Sequence, residues 1–171
     1  GRTMTTERGI VVRVYKDKKY SEYSLNRFDP GAPEKAYEEI KAAFAAQEEI
    51  LKATGTKVFE TAVLSDEPCT LFVEKETKEL PEEADIPALV SFLDTVTADC
   101  MEKDKEMVEC VSVAQSTHIS KLFLTKNRDL RQSYVYSEGM VEAVVSREGH
   151  TEYGFEGVSG LAGPELFTRL S

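Results

Sequence analysis

The residues from which a zinc site would have to be built are two histidines, His118 and His150, and three cysteines, Cys69, Cys100 and Cys110. Zinc sites draw closely spaced His and Cys pairs from a helix or knuckle. Neither histidine has a second His or a Cys three or four residues away, so both are read as surface or turn residues, and no metal-binding residue is assigned. The cysteines form an odd set without a close pair, which argues against a disulfide framework and against a CxxC metal knuckle. They read as reduced thiols of a cytoplasmic protein, with Cys110, near Val108 and Val111, as a core thiol. Ser159 in Gly157-Val158-Ser159-Gly160-Leu161 misses the G-x-S-x-G nucleophile elbow by one residue and lacks its strand-to-helix context. Glycines at 154, 157, 160 and 163 match neither G-x-G-x-x-G nor a loop ending in Gly-Lys-Ser/Thr. With 31 Asp and Glu in the chain, no two stand out as a general acid and base. No catalytic residue is assigned to this chain.

The elements that would position these residues follow from periodicity. "GIVVRVY", Gly9 to Tyr15, alternates; "KDKK" is a polar turn; Tyr20 to Leu25 alternates again, and the three predict a β-hairpin. From Pro33, Tyr37, Ile40, Phe44 and Leu51 recur at helical spacing, and Gly55 supplies a stop. "VFETAVL" and "CTLFV" then form either two strands or a strand and a loop. "EKETKELPEEAD", residues 74–85, reads as a charged, solvated linker. Asp85 caps a second helix, in which Ile86, Leu89, Val90, Leu93, Val96, Cys100 and Met101 make one apolar stripe. Five strand-like runs follow, at residues 107–116, 120–125, 133–137, 140–146 and 151–156, with Glu138-Gly139 and Glu148-Gly149 as hairpin connections. The expected fold is therefore α+β, a mainly antiparallel sheet with two principal helices packed on it. It is read as one domain over residues 1–171, with a helix-hairpin half (1–73), the linker (74–85), and a helix-plus-meander half (86–171).

At 171 residues, with 41% apolar and 30% charged side chains, the chain is long enough to bury a core without metal or disulfide. Its net charge of −10, from 21 basic and 31 acidic residues, opposes a phosphate backbone and disfavours direct nucleic-acid binding. No apolar run is long enough to span a membrane, and "GRTMTTERG" lacks a signal peptide's apolar core.

The order of parts resembles the TldD/PmbA family, once described as modulators of DNA gyrase. "G-x-x-V-R-V-Y" opens a hairpin, and a helix with Asp104 near its end precedes "V-x-x-V-x-V". "K-L-F-L-T-K-N" precedes "R-x-x-x-Y-x-x-S", and a glycine-paced loop ends in Gly163-x-Glu165-x-Phe167. The resemblance covers nearly the whole chain. It departs from the family at Asp129-Leu130-Arg131-Gln132, where Arg-Pro often stands, and in lacking the family's opening helix and strand. It implies a zinc metallopeptidase or an inactive partner, working as a homo- or heterodimer, in which an H-E-x-x-x-H helix follows the glycine loop. That helix is absent here, so the chain reads as an N-terminal portion, with no cofactor of its own and zinc expected in a C-terminal domain.

Two functions are compatible with this. One is a non-catalytic domain that shapes the cleft for a peptide or protein substrate and contributes to a dimer interface. Capture would be by strand addition, with Tyr153, Phe155, Gly157, Gly160 and Gly163 as candidate peptide-binding residues and Tyr134 and Tyr136 as further wall residues. The other is a stand-alone acidic interaction module, or an inactive partner subunit. A His-Glu followed by a His at helical spacing in the parent reading frame favours the peptidase.

Overall fold

The computed structural model describes residues 3–62 and 64–170, and its fold is α+β. The chain divides into two compact units, Gly1–Ser65 and Asp66–Ser171. In the first, β1 (Ile10–Lys16) and β2 (Lys19–Leu25) pair antiparallel. The two residues between them, Asp17 and Lys18, both have positive φ, 50° and 58°. That is the backbone of a two-residue turn whose twist matches the strands it joins. Arg13 pairs with Glu22 across the hairpin. Helix α1 (Pro33–Thr54) follows and ends at Gly55, whose φ of 61° makes it a left-handed cap. The helix is tied to β2 by Tyr23 Oη donating to Glu39 Oε1 at 2.7 Å and Gln47 Nε2 donating to Glu22 O at 3.0 Å. Its inner face carries Ile40, Phe44 and Leu51, as the spacing predicts, but Tyr37 is 62% exposed. Ala36 takes the inward position instead, and Tyr37 lies on the flank, with Lys41 Nζ 5.9 Å from its ring centre.

The second unit is built on a four-stranded sheet. Strand β3 (Cys69–Glu74) pairs parallel with the first part of β5 (Arg128–Arg147). Strand β4 (Met107–Leu124) runs antiparallel along most of β5, and β6 (His150–Gly160) pairs antiparallel with its second part. Helix α2 (Ile86–Met101) is capped by Asp85, whose Oδ1 accepts from Ala88 N at 3.0 Å. It lies on one face of the sheet: Ser112 Oγ donates to Leu93 O at 2.9 Å and sits 2.8 Å from Thr97 Oγ1. Between β3 and α2, residues 75–85 form no free linker. Thr77, Glu79, Leu80, Pro81 and Ala84 are half-buried, and Pro81–Glu83 make a 3₁₀ turn.

The meander is simpler than the sequence predicts. The runs 107–116 and 120–125 are one strand, and so are 133–137 and 140–146. Glu138-Gly139 is therefore not a hairpin connection, whereas Glu148-Gly149 is, with φ of 50° and 80°. Gly139 is required for packing: a Cβ there would lie 2.7 Å from Leu170 Cδ1 and 3.3 Å from Phe167 Cδ1. The glycine-paced segment is likewise mostly strand, because β6 runs through Gly154 and Gly157 to Gly160. After it the chain enters a second 3₁₀ helix, Pro164–Arg169, whose Pro164, Leu166 and Phe167 are buried. These side chains join Val135, Ser137, Cys110 and Leu170 in the core. Ser137 Oγ donates to Ala162 O at 2.8 Å and meets Ser116 Oγ at 2.7 Å. Of the two apolar runs before β3 and at it, "CTLFV" forms a strand; "VFETAVL" has none over 58–62 or at Leu64, and its Val63 lies outside the described residues.

Candidate functional site

Strand β5 is paired with β4 on one side and, on the other, with β3 over 128–133 and with β6 over 137–147. The outer edges of β3, β4 and β6 have no further strand partner among the described residues. Such an edge presents unpaired N–H and C=O groups to another chain. The β6 edge borders a groove, a space of about 1190 Å³ between α2, β5, β6 and the last 3₁₀ helix. Phe92, Val96 and Cys100 form its helix wall, and Val141, Ala143 and Val145 its floor.

Register decides which β6 side chains face this groove. Directly opposed residues in an antiparallel pair project to the same face. Cys110 opposes Ala143 and Ser112 opposes Val141, and Ser112 bonds to α2, so Val141, Ala143 and Val145 share the helix-covered face. Across from these three stand Glu156, Gly154 and Glu152. Tyr153 and Phe155 also border the groove, but with Gly157 they stand opposite Val144, Glu142 and Met140, so register sends their side chains to the other face, where Tyr153 is 76% and Phe155 72% exposed. Tyr134 and Tyr136 share that face, near the other end of β5.

The five candidate peptide-binding residues thus separate. Tyr153, Phe155 and Gly157 sit together on the open side of β6. Gly160 ends the strand opposite Ser137. Gly163 precedes the 3₁₀ helix, where an added Cβ would fall 1.9 Å from Glu79 O. The backbone that approaches Gly163 closely is the chain's own. The groove wall was missed in sequence although Phe92 stands at helical spacing from Leu89 and Val96. The facing glutamates were missed because they show their side only once β6 is in register.

The cysteines fall at different depths. Cys69 is exposed, Cys100 half-buried and Cys110 buried. Burial, with the neighbouring Cys100 thiol, pushes the Cys110 thiol up to about 11, which leaves it protonated and unreactive at neutral pH.

His118 lies within β4 rather than at a strand end. Its Nδ1 is 2.7 Å from Glu82 Oε1 and its Nε2 3.0 Å from Ser133 Oγ. Hydroxyl, imidazole and carboxylate stand in the order that activates a nucleophile, but they lie outside the groove lining. The array joins β4, β5 and the first 3₁₀ turn, beside the bond from Lys75 N to Ser133 O at 2.9 Å. The bond from His118 holds the Glu82 carboxyl below its usual range.

Among the described residues no three His, Cys, Asp or Glu side chains group so as to hold a metal ion. No helix among the described residues is long and apolar enough to cross a membrane. No protein-family model matches the chain, and no curated protein matches it.

Proposed function

We propose that the chain is a peptide-holding, non-catalytic domain of the kind found in TldD/PmbA-like zinc metallopeptidases, working in a dimer with the metal chemistry supplied by another domain. The observation that carries this reading is the free edge of β6 beside a groove whose apolar wall and floor are accompanied by charged side chains, Lys103, Arg147 and Arg169 as well as Asp99, Asp104 and Glu148. An extended substrate segment adds to β6 as a further strand, its main chain bonding to the edge and alternate side chains falling into the groove and beside Tyr153 and Phe155. Such binding presents a segment in one register without cleaving it.

Hydrogen–deuterium exchange of the full chain, with and without a millimolar pool of random-sequence decapeptides, tests the reading. The expected result is slowed exchange within residues 150–160 and no hydrolysis of the pool. Protection confined to the β4 edge, or none at all, overturns it. The carboxylates of Glu152 and Glu156, which have no ion-pair partner among the described residues, favour a second reading of the same edge. In that reading the chain is an acidic module that docks a basic segment of a folded protein, and no peptidase is involved.

A further inference from the structure

The side chains along β6 say what an added strand must carry. On the groove face the order is Glu152, Gly154, Glu156. Two acidic side chains roughly 13 Å apart along the strand flank a position with no side chain. A Cβ built on Gly154 meets nothing within 4 Å, so the space above it opens onto the floor at Ala143, its cross-strand partner. A glycine in an edge strand is stabilised by a large apolar or aromatic side chain laid across it from the next strand. Glutamates are stabilised by basic residues directly opposite and repel acidic ones.

Resting on the strand-addition reading above, we propose that the β6 edge selects an extended segment of the alternation basic–x–aromatic–x–basic. The aromatic ring lies over Gly154 and enters the groove toward Phe92 and Val96. The two basic side chains pair with Glu152 and Glu156. The intervening residues fall on the open face beside Tyr153 and Phe155, where β-branched or aromatic side chains pack best. The pattern is the same read in either direction, so it holds for parallel and antiparallel addition.

Fluorescence polarisation with labelled peptides and the full chain tests this. The probes carry Lys-Val-Phe-Val-Lys, the isomer Val-Lys-Phe-Lys-Val, or Glu-Val-Phe-Val-Glu, each within the same Ser/Thr frame. The first should bind roughly tenfold tighter than its isomer, because only the first brings ring and charges to one face; two good cross-strand ion pairs supply about that difference. The double variant Glu152→Lys/Glu156→Lys should reverse the preference toward the glutamate peptide. Gly154→Val, which fills open space and adds strand propensity, should weaken binding of the first peptide about tenfold while leaving the melting temperature unchanged or raised. A binding loss there cannot come from unfolding.

Equal binding of the two lysine isomers would show selection by net charge alone and overturn the alternation. Failure of all three probes while the random pool still protects residues 150–160 would overturn the inference and leave strand addition standing. Failure of the pool as well removes both.

Discussion

Gly163 and Gly154 belong to the same regularly spaced set and make opposite demands. At Gly163 a methyl group would collide with a backbone oxygen, Glu79 O at 1.9 Å. The segment bearing Glu79 is anchored on either side, by Lys75 N donating to Ser133 O at 2.9 Å and by Glu82 at His118, so relief requires the 3₁₀ helix 164–169 to move with its buried Leu166 and Phe167. Gly163→Ala is therefore expected to destabilise the protein by about 1–3 kcal/mol, the range for overpacking a closed site. Gly154→Ala, with nothing to meet, should stay within about 0.5 kcal/mol of the parent or gain stability. Denaturant midpoints for the two variants check the contrast. Similar midpoints would mean that the approach of Glu79 to Gly163 is not what holds the last helix down. Spacing alone could not separate the two glycines, because the partner of Gly163 lies 84 residues earlier in the chain.

At the scale of elements, local pattern fixed what local interactions decide. The first hairpin, the two helices, the Asp85 cap, the Gly55 stop and the Glu148-Gly149 turn were all legible, since each depends on neighbours within a few residues. What sequence did not reveal is non-local. Thr117, His118 and Ile119 read as a break between two strands, yet they continue β4 because Val135, Tyr136 and Tyr134 stand opposite to pair with them. β3 was legible as a strand but its parallel pairing with β5 was not, nor was the groove, which needs α2 and β6 on one sheet. The charged stretch 74–85 read as solvated because its composition is polar. His118, Ser133 and the backbone beside Gly163 hold it against the unit.

The His118–Glu82 contact predicts an acid-dependent term in that anchoring. The folded-state pKa of Glu82 is depressed, first by the hydrogen bond from His118. A depressed carboxylate contributes stability that is present above its unfolded value, about 4.3, and is lost as pH falls through the folded value. Half of the Glu82 side chain is exposed, so solvent screening keeps the contribution small. Denaturant midpoints measured from neutral pH down through the glutamate range should fall more steeply for the parent than for Glu82→Gln, which has nothing to protonate. Parallel curves would show that the contact adds nothing to folding. The same titration, followed by exchange at residues 75–85, should show this segment opening first.

For the whole molecule, the two units differ in how much core each holds. In Gly1–Ser65 the one buried hydrophobic side chain among the described residues is Leu25. A two-stranded ribbon with one helix is marginal in water, and a piece this short seldom closes a core without a staple. Asp66–Ser171 instead buries Cys110, Val135, Leu166, Phe167 and Leu170 between a four-stranded sheet, α2 and the last 3₁₀ helix. Its β4–β5 connection is fastened from within, by Asp66 accepting from Thr125 Oγ1 and from Asn127 Nδ2, the latter at 2.9 Å. Expressed alone, residues 66–171 are expected to unfold in one cooperative denaturant transition with a slope in keeping with their size. Residues 1–65 alone should show at most partial helix from α1 and no such transition. A broad, non-cooperative melt of 66–171 would mean that its sheet and helix are not self-sufficient. A sharp transition for 1–65 would mean that the hairpin and α1 hold each other more firmly than one buried leucine provides. The first outcome also bears on the β6 edge, because an edge offers a defined register only when the sheet behind it is fixed.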